Sequence, residues 1–132
     1  GLVEIVVGLT PSMGGPQRLA EKAGPNRAKE LVMTGQLYDA ATLQSWGVVN
    51  RVWPDEQFEE KSRKLALRLA SGPTVAHAAT KELVKAQKEG GARAADQLVP
   101  ELGGGLFGTE DLQNAVKSFL EVGPGKATYE GR

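Results

Sequence analysis

The chain has 132 residues, with sixteen basic residues balanced by sixteen acidic ones, one histidine and no cysteine. That length suits one domain and is short for two; the charge balance gives no global field toward nucleic acid or an anionic membrane; and the missing thiols exclude a disulfide framework, a thiolate nucleophile and a cysteine metal site. A lone histidine argues against a protein metal site, no apolar run approaches the roughly 20 residues that cross a bilayer, and no basic region with a cleavage site marks a signal peptide, so the expectation is a soluble cytoplasmic protein.

Residues 2–9 read as a strand, rich in β-branched side chains and closed by Gly8. Thr10-Pro11 ends the segment, because the residue before proline is pushed to extended geometry. Gly14-Gly15 permits a close backbone approach, and Pro16 suits the first turn of a helix carrying Gln17, Arg18, Leu19 and Ala20. A second helix starts at Gly24-Pro25 and stops at Gly35. Asp39 caps a short third helix running through Trp46 to Gly47, and residues 48–53 read as a short strand halted by Pro54.

The remainder reads as helical. Residues 55–70 place Phe58, Leu65 and Leu69 on one face, and Ser71-Gly72-Pro73 breaks the run. Residues 74–88 place Val75, Ala79, Leu83 and Ala86 at helical spacing, ending near Gly90-Gly91; a weaker helix over 92–102 reaches Gly103-Gly104-Gly105. Thr109 caps a last helix whose first turn holds Glu110 and Asp111, favourable to the helix dipole, and whose stripe is Leu112, Ala115, Val116, Phe119 and Leu120. These stripes need a cover, either an upstream domain or another subunit.

The residue that stands out is Glu4, one acid among Leu2, Val3, Ile5, Val6 and Val7. A carboxylate desolvated by such neighbours is one route to a usable proton donor near neutral pH. Taken alone, the segment equally reads as a strand with one solvent-facing acid, and residue type favours that. A single strand also has no partner in the rest of the chain, and lone strands are not stable. The expectation is a chain that begins in the middle of a fold.

The order of blocks then resembles one family. Val3-Glu4-Ile5 followed by Pro11-Ser12-Met13-Gly14-Gly15-Pro16-Gln17-Arg18-Leu19 resembles a signature of the crotonase (enoyl-CoA hydratase/isomerase) family. Ala28-Lys29-Glu30-Leu31 with Thr34-Gly35, Trp46-Gly47-Val48-Val49-Asn50-Arg51-Val52, Ala79-Thr80-Lys81, Phe107-Gly108-Thr109-Glu110-Asp111 and Phe119-Leu120-Glu121 continue it in order. The resemblance implies an α/β fold: over residues 1–53 the end of a crotonase-type spiral core (its last strand and turn), then over 54–132 a mostly α-helical oligomerisation region. It further implies that only the C-terminal half is present, without the first glutamate and the oxyanion hole, so that this piece alone is inactive.

By the same resemblance, Glu4 takes the position of the second hydratase glutamate, proton donor to Cα of a 2-enoyl-CoA. Pro11, Ser12, Met13 and Gly14 then line the acyl pocket, with Ser12 where the family often has glycine. Cofactors are none, coenzyme A being part of the substrate. The implied partners are an acyl-CoA, the N-terminal half of the same enzyme, and further copies in a homotrimer or dimer of trimers. A basic run that often follows Phe-Leu-Glu in the family is Val122-Gly123-Pro124-Gly125 here, which removes a CoA contact, with Lys126 a weak substitute. His77, Arg18, Lys117, Trp46 and Trp53 read as structural or surface residues. The alternatives are a Δ3,Δ2-enoyl-CoA isomerase or other acyl-CoA reaction, and a non-catalytic helical oligomerisation module.

Overall fold

The first residues of the chain close on themselves. In the computed structural model, which describes residues 1–132, Glu4–Val7 forms a single 3₁₀ turn. The Val6 N–H donates to the Val3 carbonyl at 3.1 Å, Gly8 to Ile5 at 3.0 Å and Leu9 to Glu4 at 3.1 Å. Gly8 makes the closure possible by taking the left-handed region, φ 76° and ψ 20°. The expected strand over residues 2–9 is therefore absent. So is the one over 48–53, a bend and loop in which Val48 N–H bonds back to Leu43 at 2.9 Å.

These two findings overturn the α/β assignment, since the chain contains no strand at all. The physical reason is that β-branched residues favour extended backbone where a neighbouring strand takes up the backbone donors and acceptors. With no such neighbour in the chain, local turn bonds satisfy them instead.

Two compact units follow, Gly1–Phe58 and Glu59–Arg132. The first holds α1 (Gly15–Ala23), α2 (Pro25–Thr34) and α3 (Ala40–Ser45). Proline opens both α1 and α2, where its missing N–H is no loss. Leu19 from α1 and Ala28 and Leu31 from α2 form the buried centre, ringed by Leu2, Val32, Tyr38, Leu43, Trp46 and Val48. Asp39 caps α3 by accepting the Thr42 N–H at 2.7 Å.

Helix α4 (Asp55–Ala70) starts in the first unit and continues into the second, with acids in its first turn and Arg68 in its last, as the dipole favours. The second unit also contains α5 (Thr74–Leu106) and α6 (Glu110–Val122). Helix α5 is two helical runs joined at Gly91, which takes φ 76° and ψ 179°. The expected stop at residues 103–105 is not realised. Glycine weakens a helix without blocking it, and the turn ends one residue later, where Phe107 and Gly108 N–H groups bond to the Gly104 and Gly105 carbonyls. Thr109 caps α6, accepting the Leu112 N–H at 3.2 Å. No helix is long and apolar enough to cross a membrane.

Burial is sparse. The buried apolar residues are Pro11, Leu19, Ala28, Leu31 and Ala79, while Val6, Val7, Met13, Met33, Leu37, Phe119 and Leu120 are all more than half exposed. The chain exposes 10011 Å², where a folded monomer of 14.0 kDa exposes about 6,700 Å².

Two outcomes follow for the first unit. Leu31→Ala, at 3% exposure in the parent, should lower its stability by about 2–5 kcal/mol in urea unfolding. The Thr42 backbone N–H holds the Asp39 carboxyl below its ordinary value of 3.8. A carboxyl group lowered in the folded state stabilises above its unfolded value and loses that effect as pH falls through the folded one. The stability advantage of the parent over Asp39→Asn should therefore be full at neutral pH and vanish below the ordinary carboxylate range, as read by urea midpoints across pH.

Candidate functional site

The turn that carries Glu4 is set by what lies beneath it. Gly35 ends α2 in the left-handed region, φ 63°, its N–H bonded to the Leu31 carbonyl. A Cβ placed there would sit 2.9 Å from Ile5 Cγ2 and 3.6 Å from Val6 Cγ1. The turn and the end of α2 are thus in direct contact, and a glycine is required on both steric and conformational grounds.

On this seat, the chain turns its acid inward and its apolar residues outward. Glu4 Oε2 is buried and has no hydrogen-bond partner in the protein, while Val6 and Val7 are 75% and 71% exposed. An extended strand flanked by packed valines, the arrangement anticipated for Glu4, is replaced by a turn that desolvates one carboxylate oxygen. A buried carboxylate oxygen without a donor costs more than the about 1–3 kcal/mol of a neutral polar group, and such groups call for an explanation beyond packing.

The other expected site residues lie on the loop leading into α1. Pro11 is buried; Gly14 is half-buried; Ser12 is exposed and Met13 is 96% exposed. Pro11 and Leu2 close on Gly15, where an added Cβ would meet the Leu2 methyls at 3.0 Å and Pro11 Cβ at 3.5 Å. Arg18 secures the loop from α1 by donating from Nη1 to the Gly14 carbonyl at 3.1 Å, a structural role. The structure thus brings Pro11, Gly15 and Leu2 together and leaves Ser12 and Met13 facing outward. A cavity of about 310 Å³ adjoins this loop, lined by Leu2, Gly15, Arg18, Leu19, Leu31 and Leu43; Glu4 is not in its wall.

The remaining candidates are structural. Trp46 packs against Tyr38 with the rings tilted by 54° and their centroids 4.7 Å apart, and lies under the Arg27 guanidinium at 5.2 Å. Trp53 packs against Phe58 at 6.3 Å. His77 lies over Gly72, where a Cβ would come within 2.7 Å of its ring. No group of three or more His, Asp or Glu side chains is placed to share a metal ion.

Two polar arrangements have no counterpart in the sequence reading. The Tyr38 hydroxyl lies 3.4 Å from Glu30 Oε1 and 3.4 Å from Gln36 Oε1, and burial, with the negative charge of Glu30 behind it, holds the phenol above its ordinary value of 10.0. Asp111 is 4% exposed and accepts backbone N–H groups of Glu130 at 2.7 Å and Gly131 at 3.0 Å. The first pair joins residues eight apart and the second residues 19 and 20 apart, separations that no local pattern signals.

Residues 1–132 match the family described as Enoyl-CoA hydratase/isomerase. The chain belongs to the enoyl-CoA hydratase/isomerase family. It is 33% identical over 119 residues to the short-chain-enoyl-CoA hydratase of Clostridioides difficile, covering 90% of this chain and 77% of that protein. It is 31% identical over 121 residues to the 2,3-dehydroadipyl-CoA hydratase of Escherichia coli (strain K12), covering 92% of this chain and 48% of that protein. Among solved structures, an enoyl-CoA hydratase of Geobacillus kaustophilus HTA426 superposes with a TM-score of 0.90 at 32% identity, over 100% of this chain and 49% of that one. The Bacillus anthracis enoyl-CoA hydratase gives 0.89 at 28% identity, over 98% and 50%. The chain thus spans about half the length of most of these family members.

The seat of the Glu4 turn yields a direct check. Gly35→Ala should destabilise the first unit by about 1–3 kcal/mol, and adding Ile5→Ala, which removes the methyl group in the way, should recover part of that loss in urea unfolding.

Proposed function

We propose that this chain supplies the proton-transferring carboxyl group of an enoyl-CoA hydratase, completed by the N-terminal half of the same fold. The observation that carries the reading is Glu4 Oε2, buried without a protein donor in a member of this family. A carboxyl group with one oxygen buried and unpartnered suits a group that must give up and regain a proton.

In this reading, the oxygen of water bonds to Cβ of a 2-enoyl thioester as the C=C π bond opens. One proton of that water passes to a base contributed by the N-terminal half. The electron pair runs toward the thioester oxygen, where that half supplies the stabilising donors, and Glu4 delivers a proton to Cα. Pro11, Ser12, Met13 and Gly14 border the acyl chain, Met13 offering an adaptable apolar surface.

The amount of exposed surface supports a completing polypeptide. Relative to the about 6,700 Å² of an ordinary monomer, the 10011 Å² exposed here leaves a surplus of about 3,300 Å², roughly four times the about 800 Å² that one partner contributes to a standard interface. Assembly into a homotrimer or dimer of trimers through the second unit belongs to the same proposal. A second reading, a non-catalytic helical oligomerisation module, is favoured by the open face of α6, where Phe119 is 57% and Leu120 78% exposed.

Co-expression with an N-terminal half of the family tests both. The assembly should convert a 2-enoyl-CoA to a 3-hydroxyacyl-CoA, and Glu4→Gln should cut turnover by about 10²–10⁴-fold with unchanged far-ultraviolet dichroism and assembly. Undiminished turnover in that variant overturns the role of Glu4. A product with a shifted double bond assigns an isomerase instead, and an assembly with no turnover supports the module.

A further inference from the structure

The segment after α6 carries no helix, yet its last residues are tied to the start of α6 and to Thr74. Asp111, at the second position of α6, accepts the Glu130 N–H on Oδ1 at 2.7 Å and the Gly131 N–H on Oδ2 at 3.0 Å. In return its own N–H, one of the donors a helix start leaves open, donates to the Arg132 carbonyl at 2.8 Å. Gly131 sits so close to Thr74 that an added Cβ would lie 2.6 Å from Oγ1, and its φ is 76°. Arg132 pairs with Glu110 at 3.0 Å and with Glu130 at 2.6 Å, both bridges well exposed and so of small weight.

The residue just before this clasp is Tyr129, which forms part of the wall of an apolar groove of about 370 Å³ together with Pro73, Ala76, Leu112, Ala115 and Phe119; Asp111 lies at the same wall. Clasp and groove therefore share residues. The bonds are of the stronger kind, since a carboxylate accepting backbone N–H groups makes charge-assisted hydrogen bonds, and Asp111 is the one buried charged side chain in the chain.

We infer that residues 129–132 are a latched strap: Asp111 holds them in place, and release of that hold swings Tyr129 away and opens the groove along α6. The strap is a conformational device of the second unit. Its open state exposes Ala115 and Phe119 more fully.

The absence of native cysteine makes a single reporter thiol a clean probe. In the full chain, with Ala115→Cys as reporter, Asp111→Asn should raise the rate of maleimide labelling at least tenfold, and Tyr129→Ala should do the same with the latch intact. A reporter at Met33→Cys, in the first unit, should label at the same rate in every background. Hydrogen exchange should show the Glu130 and Gly131 amides exchanging at least tenfold faster in Asp111→Asn. Should that variant lose helicity by circular dichroism, Gly131→Ala, which lifts the strap off Thr74 and leaves the carboxylate in place, should produce the same rise in labelling. Labelling at position 115 that stays at the parent rate with Tyr129→Ala and with the unlatching variant overturns the proposal, as does rapid exchange of the Glu130 and Gly131 amides in the parent.

Discussion

The 3₁₀ turn that carries Glu4 rests on the backbone of Gly35, where there is no space for a side chain. That contact orders the first unit. It joins the opening residues to the end of α2, a helix that shares the buried centre with α1 through Leu19, Ala28 and Leu31. Because the turn is closed by its own hydrogen bonds, its position is decided almost entirely by what it sits on. The orientation of the Glu4 carboxylate, inward with one oxygen lacking a protein donor, is thus a property of the helix end at Gly35, about thirty residues further along.

The second unit is held differently. Its buried apolar content is a single alanine, Ala79, so the hydrophobic effect within the unit is weak, and much of its order is polar. Thr109 serves the start of α6 twice, through its side chain to Leu112 and its carbonyl to Gln113, and Asp111 ties in residues 19 and 20 positions away. A unit built this way has good local geometry and a poor core. Its amphipathic faces, Phe119 and Leu120 among them, stay exposed.

The helices were legible because their ends are written in chemistry with short reach. Asp39, Thr109, Pro25 and Gly35 each act within one turn, and each marks a boundary the structure keeps. The family was legible from the order of its blocks, which a single sequence can show. The strands were misread, because the preference of valine and isoleucine for extended backbone is a statement about a sheet, and no sheet exists in this chain. The Asp111 clasp was not legible at all, since it depends on residues about twenty positions away. For Glu4 the apolar neighbours signalled desolvation, but not that a turn resting on Gly35 would bury one carboxylate oxygen.

The break at Gly91 has a consequence for how the second unit is ordered. Helix growth is cooperative only along an unbroken hydrogen-bond ladder, and a residue at φ 76°, ψ 179° interrupts it. Residues 92–106 therefore cannot borrow order from the run that precedes them. They also contain Pro100 and three consecutive glycines, a composition about 6 kcal/mol less favourable to helix than alanine at the same positions. Such a stretch nucleates poorly by itself. Its helical shape depends on contacts made by the rest of the unit more than on its own sequence.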